Sequence, residues 1–423
     1  MKFVSTRRLS KPLSASEAIL KGLADDGGLY VPEQFPSLVH LNTGAISSYP
    51  ELAFEVLAPF FEGDVLKSND LAEICVDAFN FPVPLVPTGD KSCILELFHG
   101  PTAAFKDFGA RFLAFTMEKL LEKQPRKLTI LVATSGDTGG AVAAAFHGRK
   151  GIDVKVLYPK GRVSARQQKQ LTVWGDNVQA YEVDGTFDDC QKMVKSAFMD
   201  KELSAKYGLS SANSINLGRL LPQTIYYIYA AYLFRSMFST NPTFIIPSGN
   251  VGNSCGAYWA FTCGVPIDRI VLAVNANKTI PDYLATGKYA PRKSIATLAN
   301  AMDVGAPSNM ERLQDLYPDI ETFRSLVSAW SVDDDQIRKT IKETYDESGY
   351  ILCPHTACAE RVRRDHLKDA AAIVVSTAHP AKFDTIVEPL IGKTVEVPQN
   401  LAKLLDKESH FISVGTDYHQ LFE

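Results

Sequence analysis

The sequence predicts an α/β protein: two parallel-sheet α/β modules preceded by a mainly helical N-terminal domain, divided at 1–95, 96–238 and 239–423. Three observations carry this reading. From residue 94 onward, short β-rich runs alternate with helical patterns, the rhythm of βαβ units on a parallel sheet. That alternation occurs in two stretches separated by a long helical pattern over 219–237. Finally, 423 residues at about 150 per domain are material for two or three domains.

The elements follow in chain order. Residues 14–22 predict a helix, Asp25-Asp26-Gly27-Gly28 a turn, and Pro82, Pro84 and Pro87 an interrupted extended stretch. The first module reads as strand 127–132, helix 139–146, strand 154–157, helix 165–174, strand 178–183 and helix 187–199. The 219–237 pattern, with Leu220, Leu221, Ile225, Ile228 and Tyr232 at helical spacing, predicts one long amphipathic helix. The second module reads as strand 243–246, a Gly-rich loop and helix, and strand 269–274, resuming at 371–375. Residues 280–315 have no clear period and read as an active-site loop region or a subdomain joint.

Composition narrows the function. With 46% hydrophobic and 22% charged residues the chain belongs with ordinary globular proteins rather than disordered ones. A net charge of -4 without long like-charge runs argues against nucleic-acid and membrane-surface partners and for a small molecule. Seven scattered cysteines without CxxC signal neither a disulfide framework nor a metal site. The polar start MKFVSTRRLSKP and the lack of a long apolar run predict a cytoplasmic protein.

Five segments carry chemistry. In FHGPTAAFKDFG (98–109), Lys106 lies at the mouth of a helix between two phenylalanines, and Asp107 is placed to cap that helix. Burial disfavours the charged amine and would prepare Lys106 for Schiff-base chemistry, or the side chain snorkels and keeps its head in water. Ala133 to Gly140 (ATSGDTGG) and Pro247 to Asn253 (PSGNVGN) each join a strand to a helix. Each is either a tight βα turn or a loop that presents backbone N–H groups to an anion. Asn213-Ser214 with Arg219 suit a phosphate, or are cap residues and a surface charge. In STAHPAKF (376–383), Ser376 and Thr377 end a strand and either face the ligand crevice or cap the next turn, with His355-Thr356 a weaker candidate of the same kind.

Together with GLADDGGLYVP (22–32), these segments resemble the threonine synthases, pyridoxal-phosphate enzymes of the tryptophan-synthase-β superfamily known as fold type II. The resemblance covers nearly the whole chain. It implies pyridoxal 5'-phosphate as cofactor, held by Lys106, with Gly249, Asn250, Val251, Gly252 and Asn253 on its phosphate and Thr377 on its ring nitrogen. By the same resemblance, Ser135, Gly136, Asp137 and Thr138 would receive the substrate carboxylate, and Asn213, Ser214 and Arg219 the phosphate of O-phosphohomoserine. It implies threonine synthesis by elimination and rehydration, with a phospholyase or dehydratase of the same fold as the alternative, and a monomer. The chain departs from the family at Arg8, where glycine is usual, and at Cys353, where aspartate is usual. Activation by S-adenosylmethionine, as in plant relatives with a long N-terminal extension, is not expected.

Overall fold

The structure, a computed structural model, describes residues 1–39, 41, 46–124, 126–134 and 136–423. It is a mixed α/β fold whose two larger sheets are built almost wholly from parallel strands. One has five strands in the order Ile412–Val414, Val178–Val183, Ile152–Pro159, Leu128–Ala133 and Leu209–Ser211, all parallel. The other has six, in the order Val327–Ser331, Arg269–Val274, Thr243–Pro247, Ala372–Ser376, Ser92–Glu96 and Leu85–Gly89, with only the last pair antiparallel. All six residues of Leu128–Ala133 and all five of Thr243–Pro247 are buried, as expected of strands covered on both faces.

The sheets do not follow the expected boundaries. Leu85–Gly89, inside 1–95, and Ser92–Glu96, which crosses its end, pair into the six-stranded sheet, and Ile412–Val414 at the far end of the chain returns to the five-stranded one. Strand pairing is long-range, so chain order alone leaves it open. The N-terminal region holds a small antiparallel pair, Phe3–Ser5 with Tyr30–Pro32, and the helices Ala15–Lys21, Tyr49–Leu57 and Ser68–Ala78. The first helix shows why sequence signals work: Ser14 and Glu17 form a capping box, and Gly22 turns the chain at φ 76° after the last turn.

Local differences have physical reasons. The expected helix over 219–237 is two helices, Leu217–Leu220 and Gln223–Phe238, because Pro222 has no N–H to continue the ladder. Nor is the second helix amphipathic at its start, since every residue from Gln223 to Ile228 is buried. Arg8, where the family favours glycine, has φ 60°. The side chain offsets this strain by donating from Nη1 to the Ser5 carbonyl at 2.6 Å and pairing with Asp315 at 2.9 Å. No helix among the described residues is long and apolar enough to cross a membrane.

Gly109 sets how closely two site-bearing helices approach. It lies in Lys106–Lys123, and a Cβ added there would sit 2.4 Å from the Arg219 carbonyl oxygen. An exposed helical Gly→Ala change gains about 1 kcal/mol, but overpacking costs about 1 to 3 kcal/mol and decides the sign here. Gly109→Ala is therefore expected to lower the thermal midpoint followed by circular dichroism; a raised midpoint would show that the two helices have slack.

Candidate active site

The carboxyl ends of strands from both sheets converge on a cavity of about 360 Å³. Lys106, Asp137 and Thr138 line it, as do Asn213, Ser214 and Arg219, the whole 249–253 loop, and Thr377. Gly136 does not: it is buried at φ 141°, open only to glycine, with the Gln167 amide where a Cβ would be. Ser135 lies outside the described residues. Ser376 also stays out, its hydroxyl 3.0 Å from that of Thr356.

Lys106 is the first residue of its helix, and the segment before it is braced from two sides. Phe105 N–H donates to the Thr377 carbonyl at 2.9 Å, and His379 N–H to that of Ala103 at 3.0 Å. Asp107 is not a cap. It sits inside the first turn, and its carboxylate accepts from Thr102 N–H at 2.9 Å and the Thr102 hydroxyl at 2.7 Å, folding the 102–107 segment back on itself.

The Lys106 ammonium has no hydrogen-bond partner among the described residues, and its nitrogen is 4.9 Å from the Phe105 ring centroid. Burial pushes its pKa down to about 8; Asp137 opposes the fall, and Lys382 and Arg219 add to it. The Lys106 side chain lines the cavity instead of snorkelling to the outer surface. Burial would raise the Asp137 carboxyl, but the Lys382 and Lys106 ammoniums hold it well below the usual carboxylate range. It accepts from Lys382 Nζ at 2.9 Å and Gln167 Nε2 at 3.1 Å. An incoming carboxylate would be repelled by this side chain and would meet Asp137 and Thr138 through backbone N–H groups, at the start of the helix Asp137–Phe146.

Arg219 is only 2% exposed, so it is not a surface charge. One guanidinium nitrogen donates to the Ala212 carbonyl, Nε is buried without a partner, and burial pushes its pKa down to about 10. Among the described residues no carboxylate forms an ion pair with it. Ser214 Oγ accepts from Asn250 Nδ2 at 2.7 Å and Asn309 Nδ2 at 3.3 Å, joining the 213–219 segment to the 249–253 loop. Asn213 Nδ2 donates to the Ala133 carbonyl at 3.1 Å.

The 249–253 loop leads into the helix Gly252–Thr262 through Val251 at φ 64°, a conformation that strains a β-branched residue. Asn253 Oδ1 takes the hydroxyls of Tyr226 and Tyr227 at 2.5 and 2.7 Å, while its Nδ2 is buried without a partner. An orphan donor beside a helix N-terminus, an unpaired buried guanidinium and a partnerless amine fit an aldehyde cofactor that carries a phosphate. Among the described residues no cluster of metal-ligating side chains occurs.

Four groups escaped the sequence reading. Lys382 and Gln167 hold Asp137. Arg312, fully buried, donates to the carbonyls of Tyr30, Ser214 and Ile215 and to Asn309 Oδ1. Asp303 lines the cavity and ties the loop at Thr297 to Asn275; burial pushes it up to about 6. Lys382 lies within STAHPAKF and could have been found there, because a lysine so near a strand's ligand-facing end asks for a counter-charge. Cys353 caps the helix Pro354–His366 through Sγ, taking the Thr356 N–H at 3.5 Å in the place where the family's aspartate would do so.

His355 also lines the cavity, and its Nε2 accepts from Ala301 N–H at 3.1 Å, so the ring is neutral with its proton on Nδ1. Burial pushes its pKa down to about 4, Asp137 opposing and Lys106 and Lys382 adding. With an unfolded value of 6.5 and a folded value near 4, the unfolded chain binds more protons in that window. Stability is therefore intact above pH 6.5 and falls towards pH 4, with His379 contributing in the same direction and Asp303 in the opposite one. His355→Gln keeps an acceptor but cannot titrate. Denaturant melts at several pH values should show it losing about 3 kcal/mol less than the wild type across the window; parallel losses would mean that His355 is not buried neutral.

Known proteins resemble this chain along its length. The family profile "Pyridoxal-phosphate dependent enzyme" matches residues 88–377, "Threonine synthase N terminus" residues 2–79 and "Threonine synthase, C-terminal" residues 356–422. Threonine synthase of Haemophilus influenzae is 39% identical over 95% of this chain and 94% of its own length. The crystal structure of pyridoxal-phosphate-bound threonine synthase from Brucella melitensis has a TM-score of 0.92 at 36% identity, covering 100% of this chain and 98% of that one. Yeast threonine synthase has a TM-score of 0.89 at 31% identity, covering 100% and 97%.

Proposed function

Because the chain belongs to the threonine synthase family of pyridoxal-phosphate enzymes, we propose that its substrate is O-phospho-L-homoserine, which it converts with water to L-threonine and phosphate. The observation that carries the choice of substrate is Arg219, a buried cation facing the cavity with no carboxylate of its own, beside Asn213 and Ser214. A guanidinium with two polar neighbours matches a tetrahedral dianion, and binding one relieves the cost of burying that charge. Lys106 would hold the cofactor's aldehyde carbon, the 249–253 loop with Asn253 Nδ2 its phosphate, and the Thr377 hydroxyl its ring nitrogen.

When bound, pyridoxal phosphate supplies an electron sink for negative charge developing at the substrate carbons. Everything else falls to the chain. The Lys106 amine, with a pKa near 8, accepts the Cα proton and then moves protons at Cβ while the γ-phosphate leaves into the Arg219 site. Backbone N–H groups of Asp137 and Thr138 orient the carboxylate, so Lys106 meets one face of the substrate. Thr377 presents a hydroxyl rather than a carboxylate, which would not hold the ring nitrogen protonated and so would moderate the sink. Water adds at Cβ last, so the cavity has to exclude it earlier. The seven buried, free cysteines suit the reducing cytoplasm.

The decisive assay supplies O-phosphohomoserine and quantifies products: threonine and phosphate in equal amounts are expected, whereas phosphate with 2-oxobutanoate would establish the dehydratase-like alternative. Lys106→Ala should abolish turnover and the cofactor's visible band; retained activity would remove Lys106 from the chemistry. Arg219→Met, which keeps volume without charge, should lower kcat/KM by about 10 to 150-fold, equivalent to about 1.5 to 3 kcal/mol, with Arg219→Lys recovering part. A wild-type kcat/KM in Arg219→Met would move the phosphate elsewhere.

A further inference from the structure

Lys382 has no part in the roles assigned above, yet its side chain is 0% exposed. Its ammonium lies 2.9 Å from Asp137 Oδ1 and 2.9 Å from the Thr102 carbonyl oxygen. It does not line the cavity, whereas Asp137 and Lys106 both do, so it acts on the chemistry from behind them. Buried ion pairs seldom stabilise a fold more than apolar residues of the same volume would, so retention of this one asks for another reason.

Charge supplies it. Around Lys106 stand Asp137 on the helix Asp137–Phe146, Arg219 on Leu217–Leu220, the neutral His355 on Pro354–His366, and Lys382 on the turn Pro380–Phe383. The adjacent Asp107 carboxylate is taken by Thr102, and Asp303, Asp188, Arg292 and Lys293 also line the cavity. Of the buried groups facing Lys106, Asp137 alone carries a negative charge that could pair with the Lys106 ammonium. Lys382 and Gln167 both hold it through Oδ1, and it forms no ion pair with Lys106.

We propose that Lys382 is a positioning residue for Lys106: by occupying Asp137 it denies Lys106 a carboxylate partner and leaves its amine free to accept and release protons at the substrate. Its contact with the Thr102 carbonyl fixes the segment leading to Lys106 at the same time. The low proton affinity of Lys106, to which Lys382 contributes, agrees with this role. The inference rests on Lys106 being the lysine that moves protons in the proposed reaction.

The test measures the pH midpoint at which Lys106 reacts with acetic anhydride, read by mass spectrometry of the full-length chain freed of cofactor. Lys382→Met should raise that midpoint by about 1, a tenfold loss of neutral amine near neutrality, because Asp137 then pairs with Lys106. Lys382→Arg should keep the wild-type midpoint, and Lys382→Met with Asp137→Asn should return close to it. In the holoenzyme, kcat of Lys382→Met should fall about tenfold near neutral pH, with KM little changed, and recover as pH rises. A purely structural lesion would not recover. An unchanged midpoint in folded Lys382→Met, or a raised one in the double variant, overturns the proposal. If Lys382→Met does not fold, Asp137→Asn decides alone: its midpoint should fall, since Lys382 then faces Lys106 with no carboxylate between, and an unchanged or raised midpoint overturns the proposal. Labelling does not depend on the cofactor, so a Lys106→Ala holoenzyme that kept its visible band would refute the functional reading while leaving this result to stand by itself.

Discussion

The site depends on an amine held in a cavity without a counter-ion. Lys106 stands at a helix start on the cavity wall, and the Asp137 carboxylate on the same wall is held by Lys382. Lys106, Arg219, Arg292 and Lys293 line the cavity against Asp137, Asp188 and Asp303, and Lys382 stands behind Asp137, so cationic groups outnumber carboxylates five to three in and beside it. The rest of the architecture answers that imbalance. Helices Asp137–Phe146 and Gly252–Thr262 bring their N-termini to the cavity and add partial positive charge where a phosphate or carboxylate would lie. Such a surplus of positive charge favours anionic ligands over neutral ones, which connects the charge of the cavity to the substrate proposed.

Holding these groups in register falls to polar contacts that cross the chain. Arg312 ties Tyr30 of the N-terminal pair to Ser214, Ile215 and Asn309. Asn250 reaches Ser214 from the opposite sheet and takes the Ser308 N–H at 2.6 Å. Gln167 accepts from Asn300 Nδ2 at 3.4 Å while donating to Asp137, so the helix Ala165–Thr172 senses both the carboxylate and the 300 loop. Such contacts rank with ordinary hydrogen bonds in stability, but they place functional groups borne by separate sheets within the tolerance that catalysis demands. A cavity bounded by two sheets is also suited to closing over its substrate and admitting water late.

Much of this was legible in the sequence wherever the signal was local. The strands Val178–Val183 and Arg269–Val274 and the helix Phe187–Met199 fall where periodicity puts them, and the capping box at Ser14 and Glu17 marks its helix. The strand-loop-helix sites of the 134–138 and 249–253 loops were visible as small-residue turns. What was not legible is what depends on distance along the chain or on one exception to a pattern. Pro222 divides a helix that apolar spacing alone makes continuous. Asp107 sits at a cap-like position yet folds back to Thr102, and Gly136 is filled from above by Gln167. Lys382 meets Asp137 across 245 positions, 382 − 137, and Arg312 meets Tyr30 across 282. No window of sequence contains both partners, and the choice between a surface charge and a buried one at Arg219 was settled only by burial.

Two buried lysines within one constellation, Lys106 and Lys382, make the central claim directly measurable. Borohydride reduction of the holoenzyme fixes the cofactor to whichever lysine holds it, and peptide mapping then locates the phosphopyridoxyl group. The account predicts the label on Lys106 alone, in the peptide that follows Phe105. A label on Lys382, or spread over both, would contradict the division of labour between a free amine and the amine that occupies its carboxylate.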